Sequence, residues 1–135
     1  MSAGEQQLHQ ALEAFLAAFR NLDWIPFSAW FSPSASVFFP FTDMPRRANG
    51  MEEIAAVFKP FFENLRRNHK GAPPYLNIDP LDLQVSIVAN IALVTFHLID
   101  PGGEHTVLGR RSLIWAREQG QWRILHLHAS NVQMP

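Results

Sequence analysis

Three sets of residues in this 135-residue chain have the types and spacing to do chemistry. His126 and His128 stand two apart, and on a strand a period of two puts both rings on one face. Two imidazoles on one face begin a transition-metal site, with His97 imaginable as a third ligand. No carboxylate neighbours the pair in sequence, so the expectation is a hydrogen-bonded role at a subunit interface and no metal. His97 and Arg111 form the second set. An imidazole titrates near neutral pH and moves a proton, while a guanidinium holds a carboxylate or enolate oxygen. Asp43 is the third, the sole carboxylate between the first expected strand and the third helix. His97 and Asp43 are therefore the candidate bases, and both compete with plainer roles as a satisfied core histidine and a loop carboxylate.

Composition narrows what such residues could serve. With no cysteine, disulfide frameworks, thiolate-held metals and thiol nucleophiles are excluded. Eleven basic residues against twelve acidic give a net charge of −1, too even for nucleic acid as the main partner. Apolar runs fall far short of a membrane span, and the polar opening Ser2-Ala3-Gly4-Glu5 is no secretory leader, so a soluble cytoplasmic protein is expected. The length suits one domain over residues 1–135, able to take about two-thirds of its unfolded surface out of water. Of eleven phenylalanines, ten lie at or before Phe62, so the amino-terminal half carries the aromatic mass of the core.

The elements that must position these groups are legible from periodicity. Ser2 and Glu5 fit a capping box, and Leu8, Ala11, Leu12, Phe15 and Phe19 recur at helical spacing, predicting a helix over 4–20. Asp23 opens a short second helix through about Phe31, which Pro33 ends. Residues 35–41 read as a strand whose Pro40 implies an edge or bulge, and a loop follows. A third helix starts near Met51, with Ile54, Phe58, Phe61, Phe62 and Leu65 on its buried face and a kink expected at Pro60. After Gly71-Ala72-Pro73-Pro74 everything reads as strand, over 75–79, 82–89, 91–99, 106–117 and 121–132. Helices followed by hairpins make an α+β order without parallel βαβ units or a phosphate loop.

That order resembles the nuclear-transport-factor-2-like superfamily, a cone in which helices pack on a strongly curved antiparallel sheet. The ending Gly120-Gln121-Trp122-Arg123-Ile124-Leu125-His126-Leu127-His128-Ala129-Ser130 is similar to that of SnoaL-like proteins and of the association domain of calcium/calmodulin-dependent kinase II. Gly50-Met51-Glu52-Glu53-Ile54 also resembles the start of the superfamily's third helix. The resemblance implies a pocket at the wide end of the cone and a homodimer through the outer face of the sheet. It also implies where chemistry is missing. Aligning Val37-Phe38-Phe39-Pro40 with the segment of the related steroid isomerases puts Phe39 where their catalytic Asp stands, and Tyr75 lies outside the first helix. Leu113 and Ala129 match cavity arginines of the kinase domain, so anion binding through those positions is lost, and Arg111 is the partial substitute.

Which side chains face the pocket is a question of strand parity. A three-residue loop, Glu118-Gln119-Gly120, needs positive φ only at Gly120 and is preferred over a two-residue turn at Gln119-Gly120. It sets Arg111, Leu113 and Trp115 on one face with Leu125, Leu127 and Ala129. Pairing Ile99 with His105 adds His97 to that face. With Phe15, Phe19, Trp30, Phe39 and Phe62 these are the expected pocket residues. Arg110, Ser112, Ile114, Trp122, Ile124, His126, His128 and Ser130 are the expected dimer face. The functional expectation is a small hydrophobic or carbonyl ligand bound in an apolar cone without a cofactor, with or without SnoaL-like isomerase, cyclase or dehydratase chemistry. The alternative is a non-catalytic dimerisation or assembly module.

Overall fold

Ser2 caps the first helix, its hydroxyl accepting from the Glu5 amide at 3.2 Å, and α1 runs Ala3–Arg20. The computed structural model describes residues 2–103 and 106–135. Chain order continues with α2 (Trp24–Ala29), β1 (Phe31–Phe38), β2 (Ala48–Asn49), α3 (Gly50–Asn68), β3 (Leu81–Val88), β4 (Ile91–Ile99), β5 (Val107–Glu118) and β6 (Gln121–Gln133). The strands form one curved sheet in the order β2-β1-β6-β5-β4-β3, packed under the helices as an α+β cone. Every pair is antiparallel except β1 with β6. Among the described residues no helix is long and apolar enough to cross a membrane.

Several boundaries depart from the sequence reading. The second helix stops at Ala29, and β1 starts at Phe31 and ends before Pro40. Pro33 lies inside that strand, not after a helix. It is tolerated because the β1–β6 ladder is interrupted there: β1 advances from Phe31 to Ser36 while β6 advances from Ile124 to His126. Residues 75–79 are not a strand. Instead the Tyr75 and Leu76 amides both donate to the Arg20 carbonyl, and Arg20 Nε donates to the Ile78 carbonyl at 2.8 Å. This stretch therefore closes the carboxy-terminal end of α1, whose last carbonyls have no partner within the helix. α3 continues through Pro60 without a break.

The last hairpin is built differently from the preferred loop. Glu118 pairs with Gln121, so the turn has two residues, and both Gln119 and Gly120 have positive φ, 52° and 77°. That geometry matches the twist of the flanking strands, which outweighs the cost of a left-handed Gln. Because Asn enters this region at lower cost than Gln, Gln119→Asn is expected to raise stability by about 0.5–1 kcal/mol. A urea midpoint unchanged or lowered by that substitution would contradict the assignment.

Candidate functional site

Register decides what faces the interior. From the turn, Trp115 pairs with Ile124, but beyond it Ile114 pairs with His126, leaving Leu125 as the extra residue of a bulge. A two-residue turn and a one-residue bulge offset each other. Arg111 and Leu113 consequently share the inner face with Ala129 and Leu127, while Arg110, Ser112 and Ile114 share the outer face with Ser130, His128 and His126. Between bulge and turn the phase is reversed. Trp122 and Ile124, placed on the outer face by the sequence reading, lie buried beneath the helices, and the Trp122 indole donates to the Gly4 carbonyl at 3.1 Å. Leu125 stays half-exposed at the bulge instead of entering the core.

His97 is the larger correction. Ile99 pairs with Leu108 rather than with His105, which lies outside the described residues. That three-residue shift is odd, so the faces of β4 exchange. Ala92, Val94, Phe96 and Leu98 point inward and are buried, while Leu93, Thr95 and His97 point outward. His97 pairs with Arg110, and its Nδ1 lies 3.9 Å from the Asp82 carboxylate. It is turned away from Arg111. Asp43 is exposed on the loop between β1 and β2. The two candidate bases and Arg111 are thus not brought together.

Aromatic rings fill the centre of the cone. Phe15, Phe19, Phe58 and Phe62 surround Phe27, and Trp115 packs edge-on to Phe15 at 6.1 Å. Leu113 and Leu127 join the same core. Among the described residues, hollows open elsewhere. One of about 680 Å³ lies at the hairpin end of the sheet and includes Trp30. Another, about 340 Å³, lies at the opposite end between Phe39, Phe41 and Pro45 on one side and Ala129 and Asn131 on the other.

Arg111 reaches the second of these ends. Its Nη1 donates to the Ser130 carbonyl at 3.0 Å, the Arg110 carbonyl at 3.1 Å and Asn131 Oδ1 at 3.2 Å. Every acceptor is neutral, and among the described residues no carboxylate lies within ion-pair distance. Burial lowers its pKa to about 10, so the group remains a cation at neutral pH. Room for it comes from Gly109, where a Cβ would sit 3.3 Å from Arg111 Nη1 and 3.2 Å from Leu98 Cβ. The Nε and Nη2 donors hold no partner among the described residues, and that is the fork a carboxylate engages. Asn131 was missed in the sequence. Its signal was there: once Arg111 is set opposite Ala129, the next inward residue of the strand is Asn131.

The outer face carries the histidine pair. His126 Nδ1 lies 2.7 Å from Ser36 Oγ, and the Phe38 ring packs 5.5 Å from His126 and 5.1 Å from His128. Burial, His128 and Arg47 together push the His126 pKa down, partly opposed by its hydrogen bond at Ser36, so its ring favours the neutral form. Among the described residues no three His, Asp or Glu side chains are placed to hold a metal ion.

Comparison with known proteins agrees with this architecture. No curated protein matches the chain. Solved structures do. A nuclear-transport-factor-2-like protein of unknown function from Pseudomonas putida KT2440 superposes with a TM-score of 0.78 at 20% identity, over 96% of this chain and 87% of that one. A protein with a cystatin-like fold from Caulobacter vibrioides gives 0.73 at 16%, over 98% and 92%. The association domain of calcium/calmodulin-dependent kinase II from C. elegans gives 0.67 at 23%, over 95% of each chain. At such identities the likeness is one of fold. Membership rests on the sequence itself: the SnoaL-like domain matches residues 8–135, and the chain belongs to that family.

Proposed function

We propose that residues 1–135 act as one SnoaL-like binding domain for a small, mostly apolar carboxylic acid or carbonyl compound, whose oxygen is held by Arg111. The observation that carries this reading is a half-buried guanidinium with uncommitted donors, bonded to neutral oxygens alone, on an inner face shared with Phe96, Leu98, Ala129 and Gly109. Taking a cation out of water is unfavourable, and an anionic ligand at that end offsets the cost. Phe39 and Phe41, stacked at 5.9 Å, form the apolar side of the hollow, and Asn131 belongs both to its wall and to the Arg111 hydrogen bonds. Binding without chemistry is favoured over proton transfer, because His97 faces the other way and Asp43 is exposed. No cofactor enters this reading.

The test is a thermal-shift screen of small apolar carboxylic acids on the wild type and Arg111→Met, which keeps the stem's packing. A ligand at about a hundred times its dissociation constant adds about 2.7 kcal/mol of stability, a shift of several degrees for a domain this size. The shift should appear in the wild type and vanish in the variant. No response from any acid, or an equal response from both proteins, would overturn the assignment.

A second reading concerns assembly, and the outer face of the sheet favours it. Val88, Ile91, Leu93, Ile99, Ile114 and Val132 are all exposed there, Val88 at 73%. These residues form two apolar clusters, one around Leu93 and Ile114 and one at Ile99 and Val132, on either side of a polar band, and a second copy of the chain laid on this face covers both. Likeness to a kinase association domain supports an oligomeric protein. In this reading Arg110, Ser112, Ile114, His126, His128 and Ser130 lie between the two copies.

A further inference from the structure

The larger hollow, at the hairpin end of the sheet, has no part in the site built around Arg111. Arg123 at this end and Ala129 opposite Arg111 are six residues apart on β6, a separation of about 20 Å at strand rise. We propose that this hollow is a second binding site, for a planar aromatic carboxylate. The hollow exists for structural reasons. Strand β1 joins β6 only from Phe31 opposite Ile124, so Gln121–Arg123 have no neighbouring strand on that side. Facing the gap, α1 presents Ala11 and Ala14, too small to fill it. The result is an opening of about 680 Å³, within the range of small-molecule sites.

Its walls suit a flat ring. Trp30 is half-buried and braced edge-on against Trp115 at 6.3 Å, and Trp122 is fixed by its bond to the Gly4 carbonyl. A rigid indole face offers stacking area at little conformational cost. Arg123 supplies the charge. Its guanidinium carbon lies 5.9 Å from the centre of the Trp30 ring, and its hydrogen bonds go to the Trp122 carbonyl and the Gln121 side-chain oxygen. Both acceptors are neutral, and among the described residues no carboxylate pairs with Arg123. The Gln7 amide on α1, another wall residue, has no hydrogen-bond partner among those described and can bond a ligand's polar edge. Stacking on Trp30 with an anionic group beside Arg123 satisfies cation and aromatic face together. No nucleophile or base lines the hollow, so the site binds and does not transform.

The test titrates 2-naphthoate and its neutral counterpart 2-naphthamide into the full chain by calorimetry, with the loss of the tryptophan-fluorescence response in Trp30→Phe identifying contact at Trp30. All titrations are run in the Arg111→Met background, which removes the other proposed anion site. Saturable one-to-one binding of naphthoate with quenched fluorescence is expected. Adding Arg123→Met should weaken naphthoate about tenfold or more and leave naphthamide unchanged. Ala14→Phe, at an exposed helix position, should abolish both by filling the hollow. Absence of saturable binding at millimolar naphthoate would overturn the proposal, as would Arg123→Met weakening neither ligand. If Ala14→Phe fails to fold, the Arg123→Met comparison decides alone.

Discussion

Phe27→Ala is expected to lower the unfolding free energy by about 3–5 kcal/mol, the largest loss from any single substitution considered for this protein. Phe27 is fully buried at the junction of both layers. Its ring centre lies 4.9 Å from those of Phe15 and Phe62, 5.0 Å from Phe58, 5.1 Å from Phe19, 5.4 Å from Phe31 and 6.0 Å from Trp24. Those neighbours come from α1, α2, α3 and β1, so no single element can move inward to close the void. The loss therefore includes the cavity as well as the transfer of the ring. Set against a total of about 5–15 kcal/mol, the variant stands near the limit of folding, with a melting temperature lower by about 10–20 °C. Urea denaturation measures it. A loss below about 1 kcal/mol would mean that the helices slide freely over the sheet and that the centre is not the packed unit described here.

If the second reading holds, the double substitution Leu93→Glu with Ile114→Glu should convert the proposed dimer to a monomer while leaving the fold intact. Both residues are exposed in the isolated chain, at 44% and 36%, and they pair across β4 and β5 in the middle of the outer face. Carboxylates there are well solvated in a monomer. Between two copies they would be desolvated and set against their own symmetry mates, a penalty of several kcal/mol and at least a hundredfold weaker association. Sedimentation velocity at micromolar concentration reads the result directly, with far-UV circular dichroism as the control on folding. A monomeric wild type, or a variant that still sediments as a dimer, would remove the second copy from this face.

How much of this was legible in the sequence depended on whether the signal was local. α1 follows from its Ser2 cap and its stripe of Leu8, Leu12 and Phe15, and α3 from Ile54, Phe58 and Phe62; the hairpins from β3 onward follow from alternation and turn residues. Residues 31–34 and 75–79 were misread because tertiary contacts override local preference there. Pro33 sits in an interrupted ladder, and Tyr75 and Leu76 serve the end of α1. Faces were harder still. Nothing in the composition of Trp122-Arg123-Ile124-Leu125-His126 marks Leu125 as the bulged residue, yet that one residue decides whether Trp122 and Ile124 are core or surface. His97 fell to the same arithmetic between β4 and β5. Arg111 keeps its inner position because two departures near the turn offset one another. Its setting could not be read from the sequence, since the groups that hold it are mainly backbone carbonyls.

The order of the strands also bears on how the chain is made. β6 is the last of the six to leave the ribosome, yet it lies between β1 and β5 and joins the two halves of the sheet. Until it emerges, the strands on either side have no common neighbour, and the phenylalanines of the amino-terminal half have no floor beneath them. A nascent chain of this fold therefore holds its aromatic cluster over an incomplete sheet until β6 emerges, and a chain stopped before β6 lacks the strand that joins the two parts of the sheet, which makes it a ready substrate for chaperones and proteases.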